Sequence, residues 1–313
     1  MHLEVRELGK RKKYYLAHSF RDGKRVKKVS FYLGANLSLK EIALKRKHAE
    51  KVIEERIRAL EIIRDPFHTV LSSKEIEGLK NIGSVADIRI MHLSDDEWRK
   101  FTKAFTYDTN AIEGSRVTAS EVERILDDDL LPSGRDKYDI SETYGVSLAV
   151  EHIRKTDEHI SLDLIKKLHE IVFKDSKPFA GNFREKGVEV AVVDGAGNVV
   201  HRGAPSENII PLLDELVGWY NENRDRYTPI VLAAVVHNQF ENVHPFQDGN
   251  GRVGRILLNN ILIKHDLLPV NIEMKNRAEY YRVLQEYENN QNLGPTIELI
   301  IREYKALGKM IKR

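Results

Sequence analysis

Between residues 244 and 255 the chain reads His-Pro-Phe-Gln-Asp-Gly-Asn-Gly-Arg-Val-Gly-Arg, a run in which most side chains have a use in phosphate chemistry. Gly249 and Gly251 flank Asn250 and let the backbone approach a ligand closely. The apolar residues that follow (Val253, Ile256, Leu257, Ile261, Leu262) have helical spacing. The glycines therefore make a nest of N–H groups at the positive end of a helix, a setting that suits phosphate. Arg252 and Arg255 occupy neighbouring positions of the first turn, and two guanidinium groups beside such a nest suit more than one phosphate. Asp248 is a hard oxygen ligand for a Mg²⁺ that bridges phosphate oxygens. His244 carries an imidazole whose ordinary pKa of about 6.5 suits it to taking a proton from a hydroxyl. Base, metal ligand, nest and arginines together describe phosphoryl or nucleotidyl transfer from a Mg–nucleotide. No G-x-x-x-x-G-K-[ST] run occurs, so this is not a P-loop. A calcium loop fails as well, because its fifth and twelfth positions would be Arg252 and Asn259. The bland alternative, a helix start with incidental arginines, requires all twelve positions to coincide.

The elements that must position this loop are almost all helical. Thr228-Pro229 is a helix-start pair, and a mainly apolar helix from Ile230 to Phe240 leads into the motif. His237 in that helix reads as a packed structural histidine. Further helices are expected over 96–110 (capped by Asp95), 122–126 (led in by Thr118), 141–155, 161–173, 210–221, 252–265, 277–287 and 296–311. A β-hairpin is expected from Val188 to His201, with a Gly-rich tip at Asp194 to Asn198. Near the N-terminus, residues 13–33 read as another hairpin, turned by Arg21-Asp22-Gly23-Lys24. Ser38 then caps a long amphipathic helix to about Arg64, which Asp65-Pro66 ends.

The 313 residues include no cysteine, which excludes disulfides, Cys-ligated zinc and a thiol nucleophile. The longest apolar run, Ile230 to Val236, is far short of the roughly 20 residues of a membrane helix. The opening residues form no apolar signal region, and the chain is expected to be soluble and cytoplasmic. Net charge is only +2, but residues 1–40 hold eleven Lys and Arg against three acids. Such a basic arm suits an anionic partner such as nucleic acid, or is simply a solvated surface.

The His244–Arg255 run resembles the signature of the Fic family, H-x-F-x-D-G-N-G-R-x-x-R, at every defined position. The resemblance implies a mainly α fold, a helical bundle with a β-hairpin flap, to which a small N-terminal β-hairpin module is added here. It implies transfer of AMP from ATP to a Ser, Thr or Tyr hydroxyl of a target protein, or of the chain itself. His244 would be the general base and Asp248 would hold Mg²⁺. Gly249, Asn250 and Gly251 would bind the α- and β-phosphates with Arg252, Arg255 would hold the γ-phosphate, and Phe246 would anchor the loop. Gly181-Asn182-Phe183-Arg184 and the hairpin after it resemble the family's flap, whose Val190, Ala191 and Val192 would line nucleotide and docked peptide. Glu279-Tyr280-Tyr281 resembles the family's tyrosine pair, with Tyr280 either facing adenine or packed as core. The Lys that follows Asn in phosphate-transferring relatives is absent, which favours AMP transfer.

Thr109-Asn110-Ala111-Ile112-Glu113-Gly114 resembles the family's inhibitory motif, [S/T]-x-x-x-E-[G/N], placed before the catalytic motif as in the class with an N-terminal inhibitory helix. Glu113 would pair with Arg255 and occupy the γ-phosphate site. The same carboxylate could instead orient water, making removal of AMP from a modified protein the alternative activity. A nucleic-acid-associated regulator acting through residues 1–40 is a further alternative. The expected organisation is a basic hairpin module over 1–37, a helical connector over 38–72 and a catalytic domain over 73–313 that includes the inhibitory helix at about 96–112. Homodimers are common in the brake-bearing class.

Overall fold

The computed structural model describes residues 1–9, 11–22, 25–67, 93–193 and 199–311. Gly23 of the expected Asp-Gly turn, the Gly-rich tip at 194–198 and the expected boundary near residue 72 lie outside them. The chain starts with three strands, β1 (His2–Leu8), β2 (Arg11–Asp22) and β3 (Arg25–Ala35). They form one antiparallel sheet in that order, so the expected hairpin gains an outer strand. Alternation sends Leu16 and Val29 to one face, where they are buried together with Leu33. That face lies on α1 (Leu39–Arg64), whose stripe of Ile42, Ala49 and Ile53 is buried with them in one core. Glu41 and Ser38 cap each other reciprocally, which starts α1 where the sequence places it.

The helices of the main body are α2 (Asp95–Ile112), α3 (Ala119–Asp128), α4 (Lys137–Lys155) and α5 (Leu162–Phe173). After the flap strands β4 (Ala191–Val193) and β5 (Val199–Arg202) come α6 (Ile209–Asn223), α7 (Pro229–Val243) and α8 (Asn250–Lys264). The chain closes with α9 (Arg277–Asn290) and α10 (Gly294–Ile311). Helices α3, α8 and α10 start two or three residues before the expected positions, and two further starts differ through their caps. Ser94, not Asp95, caps α2, through a capping box with Glu97. Helix α4 begins at Lys137, because the Asp136 side chain accepts the Tyr138 N–H there.

Helix α7 is apolar all round over Ile230–Val236, as suits the centre of a bundle, and α8 lies beside it with Arg252, Arg255, Asn259 and Asn260 buried among its apolar residues. Nearly every residue of both is buried, and the motif loop between them is carried on that shared core. Helix α5 approaches α4 closely at Gly145, where an added Cβ would stand 2.2 Å from the Val172 carbonyl oxygen. Gly145→Ala should therefore force these helices apart and destabilise the chain by about 1–3 kcal/mol, the usual cost of overpacking, read from urea denaturation. An unchanged midpoint would show that the helices can slide without cost.

Candidate active site

The motif loop is built from the ends of two helices. His244 caps the C-terminus of α7 in the left-handed region, with φ 50° and ψ 60°. That turn directs its ring out of the helix path. The Nδ1–H donates to the Glu241 carbonyl oxygen at 3.1 Å, which leaves Nε2 as the basic nitrogen. Burial, with the nearby His201 acting in the same direction, lowers the His244 pKa from 6.5 to about 4. The imidazole is thus neutral at physiological pH.

Phe246 is fully buried and stacks on His169 with ring centroids 3.8 Å apart. Asn250 closes the loop by pairing both ends of its amide with the Phe246 backbone: the N–H donates to Oδ1 at 2.8 Å and Nδ2 donates to the carbonyl at 2.9 Å. Gly249 has φ +84°, and a Cβ there would collide with the Phe173 ring at 2.3 Å. At Gly251 a Cβ would stand 2.2 Å from Glu113 Oε1, so only glycine leaves room for that carboxylate over the start of α8. The first N–H groups of a helix have no partner within it, and here they open beside an acid.

Glu113 is the C-terminal cap of α2, with Gly114 turning the chain away at φ +97°. A carboxylate at the negative end of a helix is unfavourable unless something else holds it. Arg255 holds it: Nη2 lies 2.6 Å from Glu113 Oε1. The same guanidinium donates from Nε to Thr109 Oγ1 at 2.7 Å, from Nη2 to the Thr109 carbonyl at 3.1 Å and from Nη1 to the Tyr280 hydroxyl at 3.2 Å. Arg255 is only 2% exposed. Burial disfavours its charge, yet Tyr280, Glu113 and Glu241 together raise its pKa above the ordinary value. Both defined ends of the Thr109–Glu113 motif therefore act on one arginine.

Arg252 departs from expectation. It is buried in an ion pair with Glu142 of α4 and lies over the Phe173 ring at 4.5 Å. It braces the loop from below rather than lining the cavity. Asp248 pairs with Lys177 Nζ at 2.8 Å and accepts the Gly249 N–H at 2.7 Å. Burial raises its pKa, but the Lys177 hydrogen bond and the Arg252 charge outweigh that and leave it below the ordinary value. Its side chain is 46% exposed. Among the described residues no cluster of three or more His, Cys, Asp or Glu could hold a metal by itself. One ionised, accessible carboxylate fits the mode in which substrate phosphates and water complete a Mg²⁺ shell.

A cavity of about 730 Å³ opens here, lined by Glu113, His244, Val192, His201, Tyr281 and Glu288 among others. Tyr281, not Tyr280, reaches its wall. Tyr280 is 1% exposed and is bonded to Arg255 and to His237 Nε2 at 3.0 Å. His237 is correspondingly a buried structural residue. Val190 lines a neighbouring groove between the flap and α1, while Ala191 is solvent-exposed.

Two further residues, neither with a role assigned by the sequence, hold the site. Arg184, in the segment before the flap, donates Nε to the His244 carbonyl at 2.9 Å, Nη1 to Val188 at 2.7 Å and Nη2 to Ala204 at 2.7 Å. It ties flap and base together. His169 donates Nε2–H to the Asp248 carbonyl at 3.1 Å and accepts the Gly181 N–H on Nδ1 at 2.9 Å. Its only sequence mark is to be a lone imidazole in the apolar stripe of α5.

The geometry so far defines a helix-start anion nest served by a neutral imidazole, in a mainly helical fold with a hairpin flap. Residues 159–262 match the model of the Fic/DOC family. The chain is 31% identical over 209 residues to protein adenylyltransferase fic-1 of Caenorhabditis briggsae, covering 64% of this chain and 39% of that one. It is 29% identical over 202 residues to protein adenylyltransferase Fic of Nematostella vectensis, covering 63% and 45%. It thus spans less than half the length of these curated relatives. In fold it is similar to a Fic domain-containing signaling protein of Bacteroides thetaiotaomicron (TM-score 0.64, 22% identity, 76% of this chain and 96% of that one). Fic-1 of Caenorhabditis elegans is also similar (TM-score 0.60, 24% identity, 88% and 78%).

Burial lowers the His169 pKa from 6.5 to about 4, the Asp248 contacts opposing it only in part. Below pH 6.5 the unfolded imidazole binds a proton that the folded one refuses, so this residue's contribution falls between pH 6.5 and about 4. The stability advantage of wild type over His169→Gln should shrink by about 1.4 kcal/mol per pH unit across that window. Urea titrations at pH 7.5 and 5 measure it, and a constant difference would mean that His169 is solvated.

Proposed function

We propose that the chain is a self-restrained protein adenylyltransferase. The carrying observation is that Glu113 and His244 line one cavity while Glu113 lies over Gly251 and on Arg255. The curated relatives named protein adenylyltransferase support the activity. A structure of similar fold (TM-score 0.53, 14% identity) is described as IbpAFic2 in complex with adenylylated Cdc42, so that protein has a protein target.

In the proposed reaction ATP extends its phosphates over the start of α8, where unpartnered N–H groups and the helix dipole favour them. A protein hydroxyl gives its proton to Nε2 of neutral His244 as its oxygen attacks the α-phosphorus. The bond to the β-phosphate oxygen breaks, and pyrophosphate leaves with the electron pair. Asp248 would hold the Mg²⁺ of Mg–ATP, which neutralises charge developing on the phosphates. The chain's own contribution is positioning and preorganised charge. Arg255 would serve the terminal phosphate once Glu113 releases it. While Glu113 stays, the arginine has its anion already and the site over Gly251 is filled.

Glu113 also lines the cavity beside His244, and from there a carboxylate can direct water at a phosphodiester. That supports hydrolytic removal of AMP as a second reading. Glu113→Gly separates the two: transfer should rise at least tenfold and removal should fall. Intact-mass analysis of the variant with Mg–ATP should reveal added AMP on the chain itself or on an offered protein, and His244→Ala in the same background should abolish it. No AMP addition by Glu113→Gly to the chain or to proteins of a whole-cell extract would overturn the transfer reading. Because the His244 pKa lies near 4, the transfer rate of Glu113→Gly should stay flat between pH 6 and 8. A rate that halves near pH 6.5 would mean that the imidazole is solvated.

A further inference from the structure

The outer face of the N-terminal sheet lies apart from the cavity and has no part in the chemistry above. Strand alternation and register put one set of side chains there: His2, Glu4 and Arg6 from β1; Arg11, Lys13, Tyr15, Ala17 (buried among its neighbours), Ser19 and Arg21 from β2; Val26, Lys28, Ser30 and Tyr32 from β3. Five of these are Arg or Lys and one is an acid. The acid, Glu4, is already contacted by Lys28, by Arg6 at 3.6 Å and by His2 at 3.0 Å. Arg11, Lys13 and Arg21 have no ion-pair partner among the described residues. The Arg6 guanidinium lies over the Tyr15 ring at 4.4 Å, and Tyr15 meets Tyr32 at 5.1 Å. Tyr32 is 41% exposed and Val26 is 71% exposed, so the face is open to a partner. The opposite face is buried on α1, so the sheet is rigid before anything binds.

We propose that this face docks into the major groove of duplex DNA. Charge is the first reason: residues 1–40 carry a surplus of eight positive charges, while the remainder of the chain is net acidic. Dimensions are the second. The outer strand axes lie about 10 Å apart, so the face presents β2 to a major groove about 12 Å wide and leaves the edge strands over the phosphates on either side. Along β2 the ten-residue step from Arg11 to Arg21 covers about 34 Å, one turn of the duplex. Cations at both ends of β2 and on both edge strands thus meet phosphates that flank the groove. The two tyrosines lean on each other and on Arg6, which makes them a poor platform for stacked single-stranded bases. The major groove of A-form RNA is too deep and narrow to admit the sheet.

The test is fluorescence anisotropy of the full chain with a labelled 24-base-pair DNA duplex of arbitrary sequence, from 50 to 250 mM NaCl. Micromolar binding at the lowest salt is expected, with log K falling against log[salt] at a slope of about −4, as four or five neutralised phosphates give. The triple variant Arg11→Gln, Lys13→Gln, Arg21→Gln should bind at least tenfold more weakly with a slope shallower by about 2.7, and should keep its melting temperature. Arg21→Gln alone should remove about 0.9 of slope and serves if the triple variant folds poorly. Absence of binding at 50 mM NaCl overturns the proposal. So does an unchanged slope in the variants, or equal or tighter binding of the single strand or of an RNA duplex. His244→Ala should bind the duplex like wild type, so this result and the AMP-transfer result stand or fall separately.

Discussion

A guanidinium sealed inside a helical bundle must have an anion, and the site is organised around that demand. Arg255 is buried, and Thr109 and Tyr280 satisfy its donors without supplying negative charge. Glu113 supplies it. Removing one partner of a buried pair leaves an uncompensated charge, which is far costlier than the pair is stabilising. Arg255 without Glu113 is therefore a strong attractor for whatever anion can reach it, and the cavity beside it is where one would arrive. On the proposed reading, restraint and substrate affinity come from the same cation, and Glu113 stands in for a phosphate.

The loop beside it stays open through an opposite economy. His244, His169 and His237 are all held neutral by burial, with pKa values lowered to about 4, about 4 and about 3. Glu241, buried below the loop, is pushed up to about 8 for the same reason, although Arg255 pulls the other way. The interior under the loop thus carries little charge besides the arginine pairs. Arg252 with Glu142, and Asp248 with Lys177, bracket the glycines at the loop's edge. An incoming phosphate would meet a neutral base, an aspartate whose charge Lys177 offsets, and helix-start N–H groups, while Glu113 occupies the place over Gly251.

Much of this was legible in the chain before folding. Capping residues are local, so the starts of α1, α3 and α5 at Ser38, Thr118 and Ser161 follow from a few adjacent residues. The centrality of α7 follows from an apolar run with no polar face. His244, Asp248 and the glycines are contiguous, and the turn that joins α7 to α8 brings them together whatever the rest of the chain does. The pairing of Glu113 with Arg255 joins residues 142 positions apart, yet the two motifs named both partners. The added strand β1 was less legible, because its mix of Leu, Val, Arg and Glu is an edge-strand pattern that also suits a solvated arm.

The sequence by itself determined which chemistry the loop can do, since that depends on side-chain types within a dozen residues. Only the tertiary structure decided which face of each element meets the cavity. Adjacent tyrosines on α9 point some 100° apart around the helix, so the packing of α9 on α7 sends Tyr280 inward to Arg255 and Tyr281 to the cavity wall. The crossings of α4 and α5 with α8 likewise turned Arg252 toward Glu142 and delivered His169 to the loop. These are long-range packing outcomes, set by how ridges of one helix fit another, and no local pattern encodes them.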